Sequence, residues 1–368
     1  MLENGLFIVE AEEDVPAAAY VAIVDPFSTG AMLAAEAFSR GFKVIAVYSG
    51  DLEKLGNLQH LVPEGVNLSF EAIVAFNEDI NVVASDLRNV NTNIVAILPG
   101  AETGVELADQ LSSHFGLRTN GTALSEARRN KYIMGETVRK AGVRSVKQLH
   151  ASDWDFVAVF LQEWQPDPYR VIVKPMDSAG SDDVTLCHSF DEVKFHFHRI
   201  LGKVNGLGLV NRSVLVQEFL EGTEYVVDMV SRDGEHKVVA IWEYDRRPAN
   251  GAGFVLLGQD MKIISDNDSM FTQMIEYQKK VCTALGILNG PSHGEVKWVN
   301  GEPVLVEVGS RCHGSEGLWI PVADAVMHCN QVAASAAAYL SREAFMEIPS
   351  LVSARLLDNC TCVVIAVC

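Results

Sequence analysis

Short apolar runs alternate with stretches of helical periodicity over the first third of the chain. Three runs rich in Val, Ile and Ala are typical of buried strands, residues 20–24, 43–48 and 94–98. Residues 31–40 and 102–115 carry apolar side chains at the spacing of an amphipathic helix. Strands that alternate with helices predict an open α/β domain with a parallel sheet, which we place at residues 1–124.

The turn after the first of these strands bears on what such a domain binds. Parallel α/β domains often bind a dinucleotide at this position through a turn with three glycines. In the turn Pro26-Phe27-Ser28-Thr29-Gly30 only Gly30 is present. The sequence therefore disfavours NAD binding here.

The pattern changes at Ser125. Residues 126–140 predict one charged helix, with Gly142 as its C-terminal cap. Helical spacing returns at residues 271–285, behind cap residues at 267–269.

Between these two helices the chain is rich in β-forming residues. Strands are predicted at residues 171–174, 184–188, 214–219, 224–231 and 237–244. Asp233-Gly234 joins the last two as a hairpin. We therefore predict an α+β region with antiparallel sheets, with a small lobe at residues 125–212 and a C-terminal lobe at residues 213–368.

Net charge narrows the choice of partners. The 368 residues include 29 Lys and Arg against 48 Asp and Glu, a net charge of −19. A field of this sign repels nucleic acid and anionic lipid, so we expect small-molecule substrates and neither of those partners. A homodimer is the default expectation for the assembly.

The cysteines and the apolar segments bear on the compartment. Seven cysteines are scattered without the paired spacing of a zinc site, and Cys360-Thr-Cys362 is too short for one. The N-terminus lacks the basic region of a secretory signal, and no apolar stretch reaches the roughly 18 residues of a membrane span. We predict reduced thiols and a cytoplasmic protein.

The first segment with candidate chemistry is the strand that ends at Lys174 and the loop after it. The loop contains Ser178, Gly180 and Ser181, and small residues let backbone N–H groups surround an anion. With the lysine, this favours a phosphate-binding loop. A plain polar turn with an exposed lysine is the alternative.

The second candidate is Gln217-Glu218-Phe219-Leu220, followed by Glu224, between two predicted strands. An adenine ring needs a flat apolar slot and backbone hydrogen bonds, which Phe219 and Leu220 could supply. Glu224 could accept hydrogen bonds from ribose hydroxyls. The alternative is a surface turn whose glutamates are only solvated.

The third candidate is a hairpin around Asn300-Gly301. A two-residue turn would put Glu295 opposite Val306 and mix polar and apolar side chains on each face. A three-residue loop would put Glu295 opposite Glu307. The second register buries the apolar side chains better, and it is the one we predict.

Two facing carboxylates repel each other unless a cation lies between them. Because hard divalent cations prefer oxygen ligands and also bridge phosphates, we predict that Glu295 and Glu307 bind Mg²⁺ carried by ATP. The nearby Arg311 would stabilise charge on a transferring phosphoryl group or an acyl oxygen. His293 would orient a substrate or help to deprotonate an amine. The alternatives are a solvated acidic face, a structural ion pair for Arg311 and a structural role for His293.

Taken in this order and spacing, these segments resemble the ATP-grasp superfamily of carboxylate-amine ligases over residues 20–330. The resemblance implies the cofactors ATP and Mg²⁺ and a reaction in which a substrate carboxylate is phosphorylated by ATP and an amine then displaces phosphate. It implies ATP-phosphate lysines at Lys131 and Lys174, a phosphate-covering loop at Ser178, Gly180 and Ser181, an adenine hinge at Gln217, Glu218, Phe219 and Leu220, a ribose carboxylate at Glu224, Mg²⁺ ligands at Glu295 and Glu307, and an arginine near the acyl phosphate at Arg311.

Two departures from the superfamily pattern refine this expectation. Many members have Asn where this chain has Gly309, and a glycine side chain cannot coordinate a second metal ion. The glycine form is similar to the branch of bacterial L-amino-acid ligases that make dipeptides. Relatives in that branch continue well past residue 368, so we expect a smaller substrate pocket or one completed by another subunit.

Two rival functions stay open at this point. One is a nucleotide-binding protein that keeps the fold without catalysis, and the other is a purine or carbamate-type ATP-grasp synthetase that uses a different carboxylate.

Overall fold

The structure is a computed structural model. It describes residues 19–50, 66, 68–75, 77–176, 183–205, 210–249, 252–264 and 268–348. Among the helices of these residues, none combines the length and the apolar content needed to cross a bilayer.

The N-terminal part is a parallel four-stranded sheet in the order β3-β2-β1-β4. Its strands are β1 (Tyr20–Val24), β2 (Lys43–Tyr48), β3 (Ala72–Ala75) and β4 (Ile94–Pro99). The helices that alternate with them are α1 (Thr29–Ser39), α2 (Ile80–Val90) and α3 (Val105–His114). Every residue of β1 is buried, as expected for a parallel sheet covered on both faces. The predicted parallel α/β domain is confirmed.

The single helix predicted at residues 126–140 is wrong. The chain forms two helices, α4 (Ser125–Arg129) and α5 (Lys131–Lys140), because Asn130 between them adopts an extended conformation. The Asn130 side chain accepts hydrogen bonds from the N–H groups of Tyr132 and Ile133, which makes it the N-cap of α5. The break makes Lys131 the first residue of a helix.

A four-stranded sheet in the order β5-β8-β6-β7 follows. Its strands are β5 (Gln148–Ala151), β6 (Val171–Pro175), β7 (Thr185–Cys187) and β8 (Val214–Glu218), with helices α6 (Trp154–Trp164) and α7 (Phe190–Ile200). The two helices and the sheet share one apolar core. Strand β8 begins after the predicted lobe boundary at residue 212 but is bonded to β5 and β6. The lobe boundaries themselves stay a prediction.

The third sheet has five antiparallel strands in the order β11-β10-β9-β12-β13. They are β9 (Glu224–Arg232), β10 (Glu235–Ala249), β11 (Ala252–Met261), β12 (Gly290–Val299) and β13 (Glu302–Gly309). The predicted α+β region with antiparallel sheets is thus confirmed.

The two faces of the five-stranded sheet differ. One face packs on helix α8 (Ser269–Ala284), whose N-cap is Asp268. Near the N-terminal domain, the other face packs on α9 (Ile320–Met327) and α10 (Gln331–Leu340), which also contact β1, β4 and α1. A short helix, α11 (Arg342–Glu347), ends the described chain. The N-terminal domain and the five-stranded sheet therefore share one core.

The β12–β13 hairpin has a different register from the predicted one near its turn. Asn300 and Gly301 form a two-residue turn, both with positive φ, and Val299 pairs with Glu302. A β-bulge between Glu295 and Val296 then shifts the pairing by one residue. Glu295 consequently faces Glu307, as predicted. The predicted three-residue loop is wrong. The pairing of Glu295 with Glu307 arises from the bulge instead.

Candidate active site

Two lysines and the two opposed glutamates meet between the smaller antiparallel sheet and the five-stranded sheet. Lys131 Nζ lies 2.7 Å from Glu307 Oε2. Burial opposes the charge on Lys131, but the nearby Glu307 and Glu295 carboxylates raise its pKa overall. Lys131 is held in this position by the Asn130 cap at the start of α5.

Lys174 approaches the same space from β6. Burial lowers its pKa to about 8, and the positive charge of Lys131 acts in the same direction, against the opposing effect of Glu307 and Glu295. The four predicted groups therefore lie within each other's electrostatic fields. This part of the predicted site is brought together.

Glu295 and Glu307 face each other across neighbouring strands and supply only oxygen atoms. Burial opposes ionisation of Glu295, but contacts with His293 and the charges of Arg246 and Lys131 hold its pKa at about 2. A pair of carboxylate oxygen donors of this kind fits a hard divalent cation. The residues present are thus compatible with Mg²⁺.

The predicted adenine segment lies at the end of β8, but its side chains face different surroundings. Gln217 is buried and donates to Gln148 Oε1 at 2.7 Å, whereas Glu218 forms an ion pair with Arg144 at 2.7 Å. Lys297 lies over the ring of Phe219, with its ammonium 5.9 Å from the ring centroid. Leu220 is buried against Val146, Val299 and Val304. Because the polar side chains of Gln217 and Glu218 are already paired, the backbone and the apolar side chains are the parts of this segment left to contact a base.

The predicted ribose carboxylate, Glu224, is paired with a residue that sequence reasoning missed. Arg246 donates from Nε to Glu224 Oε1 at 2.6 Å and places Nη2 3.6 Å from Glu295 Oε2. Lys297 Nζ lies 3.7 Å from the second Glu224 oxygen. Arg246 therefore links the ribose candidate to the metal candidate. The only sequence signal was the pair of neighbouring arginines, Arg246-Arg247.

Arg311 has a partner from the N-terminal domain that the sequence did not indicate. Its Nε donates to Glu102 Oε2 at 2.9 Å, and Arg129 contacts the other oxygen of Glu102. Burial opposes ionisation of Glu102, but both arginines lower its pKa overall. Arg311 thus lies in a charged cluster that joins the two parts of the chain.

The glycine at position 309 has a steric explanation. A Cβ atom on Gly309 would lie 2.8 Å from Glu102 Oε2 and 3.3 Å from Arg311 Cζ. Glycine at this position therefore permits the contact between Glu102 and Arg311.

His293 is buried beside Glu295 and is held by Asp228. Its Nδ1 lies 3.0 Å from Asp228 Oδ1, and its Nε2 lies 3.6 Å from Glu295 Oε1. Asp228 and the second imidazole of this cluster, His313, were not predicted, because no sequence motif connects them.

Three predicted site residues, Ser178, Gly180 and Ser181, lie outside the described residues. Their role in covering the phosphates stays a prediction. Cys360 and Cys362 also lie outside the described residues.

Comparison with protein families gives a match over half of the chain. Residues 130–315 match the family described as the ATP-grasp domain. The chain belongs to the ATP-grasp family. The predicted family is confirmed.

Two curated relatives are named as a synthase and a ligase. Dapdiamide A synthase of Enterobacter agglomerans is 38% identical over 228 residues, 62% of this chain and 53% of the relative. The L-arginine-specific L-amino acid ligase of Bacillus subtilis is 26% identical over 222 residues, 59% of this chain and 51% of the relative. The matched regions span about half the length of these curated relatives.

Among solved structures, an L-amino acid ligase from Bacillus licheniformis is similar in fold, with a TM-score of 0.66 and 17% sequence identity. The match covers 90% of this chain and 77% of that one. A phosphoribosylglycinamide synthetase from Anaerococcus prevotii matches with a TM-score of 0.63 and 15% identity, over 88% of this chain and 75% of that one. At these identities the likeness supports the ATP-grasp fold.

Proposed function

We propose that the protein is an ADP-forming ligase that activates a carboxylate with ATP and joins it to an amine. The observation that carries the proposal is the meeting of Lys131 and Lys174 with the opposed pair Glu295 and Glu307. Positive anchors beside an oxygen-donor pair are what a magnesium–nucleotide complex requires.

The chain's own residues divide the work of the proposed reaction. Lys131 and Lys174 hold and neutralise the phosphates, and Arg311 stabilises charge on the acyl phosphate. Glu295 and Glu307 would hold Mg²⁺, which when bound supplies charge neutralisation on the phosphates. The adenosine would lie between residues 217–220 and Glu224. Catalysis by such a site rests on positioning and electrostatics, because the proposed reaction needs no covalent bond between the protein and the substrate.

An amino acid is the carboxylate that the relatives favour. One of the curated relatives named above is an L-arginine-specific L-amino acid ligase. We also place the protein in the cytoplasm, because the described cysteines Cys187, Cys282, Cys312 and Cys329 are all free. The homodimer is an expectation that light scattering would test.

The test is an incubation of the purified protein with ATP, Mg²⁺ and a mixture of amino acids. We expect ADP and phosphate to appear in an amino-acid-dependent way, and mass spectrometry of the mixture to show a new amide. The control omits the amino acids.

Other outcomes would contradict the proposal. AMP with pyrophosphate would indicate an adenylating ligase. A nucleotide-dependent thermal shift with no product from any substrate set would indicate a nucleotide-binding protein without catalysis.

A further inference from the structure

Asp228 is a fully buried carboxylate in the middle of β9. Its Oδ1 accepts a hydrogen bond from His293 Nδ1 at 3.0 Å, and its Oδ2 accepts from His313 Nδ1 and Trp242 Nε1, each at 2.9 Å. A buried charge is strongly destabilising unless donors of this kind surround it. The donors also lower the pKa of Asp228 well below its usual range, although burial acts in the opposite direction. Asp228 is therefore an anion that fixes the rings around it.

Strand pairing places this anion close to the metal candidate. His293 is directly opposite Asp228 across β9 and β12. Glu295 lies two residues further along β12, on the same face of the sheet. Because the Nδ1 atom of His293 donates to Asp228, its Nε2 edge points toward Glu295 Oε1, 3.6 Å away. This separation is longer than a hydrogen bond, so Asp228 acts on Glu295 by fixing the His293 ring that packs against the Glu295 carboxylate.

The second imidazole extends the same chain of contacts. His313 places Nε2 3.3 Å from the hydroxyl of Tyr244, and Arg246 lies over the Tyr244 ring, 5.0 Å from its centroid. Arg246 in turn reaches Glu295. Asp228 is therefore linked to Glu295 from two sides.

The cluster also has the composition of a metal site, since Asp228, His293 and His313 present ligand atoms within 4.8 Å of one another. Its hydrogen bonding favours a different role. Each Asp228 oxygen already accepts from a nitrogen donor, and the indole N–H of Trp242 shares Oδ2 with His313. All three ligand groups are almost completely buried.

We propose that Asp228 is a positioning residue that, through His293, holds the Glu295 carboxylate in the orientation in which Glu295 and Glu307 bind one divalent ion. This inference rests on the proposed function. Groups that orient a metal ligand in this way are usually needed for full metal affinity.

The substitution Asp228→Asn tests the inference with little change in shape. An amide has one carbonyl oxygen, so it can accept a hydrogen bond from only one of the two imidazoles. It must donate to the other ring, so that one imidazole loses the contact that fixes its orientation. We expect the Kd of Mn²⁺ in the presence of ADP, measured by electron paramagnetic resonance, to rise by about 10–100-fold.

A second variant keeps the test decisive if Asp228→Asn does not fold. His293→Asn retains an N–H donor for Asp228 but has no atom that reaches Glu295. We expect it to weaken Mn²⁺ binding in the same way.

The matched control is Asp109→Asn, which alters another buried carboxylate. Asp109 is bonded to Arg128 and Ser125, away from the glutamate pair. We expect this variant to lose thermal stability with an unchanged Kd for Mn²⁺.

Three results would overturn the inference. A folded Asp228→Asn protein with wild-type Mn²⁺ affinity would refute it while leaving the proposed function intact. Failure of the wild-type protein with ADP to bind Mn²⁺ would refute the proposed function as well. A transition metal retained stoichiometrically by the wild type and lost from Asp228→Asn would assign the cluster to metal binding instead.

Discussion

The two opposed glutamates are the same residue type at one ladder position, yet their surroundings differ. The Glu307 side chain is 32% exposed and forms an ion pair with one lysine. The Glu295 side chain is 14% exposed and lies beside His293 and Arg246, which are themselves held by Asp228 and Glu224. The charge of Glu307 is thus balanced by one partly exposed lysine. The charge of Glu295 is balanced by side chains that other residues of the fold hold in place. Substitutions of the two glutamates should therefore lower activity to a similar extent but change stability to different extents.

The largest effect is expected from neutralising each glutamate in turn. Glu307→Gln and Glu295→Gln should each lower turnover by about 100–1000-fold, because each removes a charge that positions the metal and phosphates. Their effects on stability should differ. Thermal or urea unfolding should show almost no change for Glu307→Gln and a loss of about 1–3 kcal/mol for Glu295→Gln, whose partners are buried. If the two variants have equal free energies of unfolding, the different surroundings of Glu295 and Glu307 do not affect stability.

Gly309 tests the far end of the Glu307 strand. A Cβ at this position would displace Glu102 or Arg311, so Gly309→Ala should lower kcat/KM by about 10–100-fold. The control is Ser310→Ala at the next position, which removes a buried hydroxyl that has no hydrogen-bond partner among the described residues. Steady-state kinetics of the two variants should differ clearly. If they match, the glycine has no steric role.

Lys174 lies near both glutamates, and burial lowers its pKa to about 8. Nucleotide affinity should therefore depend on pH. The ammonium is present below this pKa and is lost above it, so affinity for ADP should fall as pH rises through about 8. The decrease should approach tenfold per pH unit at most. Lys174→Arg keeps its charge over this range and should give a flatter profile in calorimetric titrations. A wild-type profile as flat as that of the arginine variant would rule out Lys174 as the titrating group.

The smallest effect is expected at the cap that supports the Glu307 side. Asn130→Ala should lower the free energy of unfolding by about 1 kcal/mol and raise the KM for ATP, because Lys131 starts the capped helix. Ser189→Ala removes the N-cap of α7, whose side chain accepts from the N–H of Glu192. It should cost similar stability while the KM stays the same. A rise in KM for both variants would point to a general loss of order instead.

Local pattern was sufficient to predict much of the fold but not its long-range contacts. Strand periodicity and a lysine at the end of a strand are local features, so the parallel sheet and Lys174 could be predicted from them, whereas Lys131 was implied only by the resemblance to the ATP-grasp superfamily. The break at Asn130 was missed because helical periodicity continues across it, although Asn is a typical cap. Asp228 could not be identified at all, because its partner His293 lies 65 residues away.

The hairpin shows how a right pairing can follow from a wrong premise. Burial of the apolar side chains favours the register in which Glu295 faces Glu307, and in a regular hairpin that register requires a three-residue loop. The turn dipeptide Asn300-Gly301 instead adopts the two-residue form that its residues favour. A β-bulge between Glu295 and Val296, which no sequence motif indicates, shifts the pairing by one residue and brings Glu295 opposite Glu307.

The contact between Glu102 and Arg311 has a practical consequence for anyone who wishes to express part of this protein. A fragment limited to residues 130–315 would omit the carboxylate that neutralises Arg311 and the hydroxyl of Thr29, which donates to the carbonyl of His313 at 2.6 Å. It would also expose the apolar surface that Trp319 and the N-terminal sheet now cover. We therefore expect the segment that carries the family match to be poorly stable when it is expressed without the N-terminal sheet and residues 316–340.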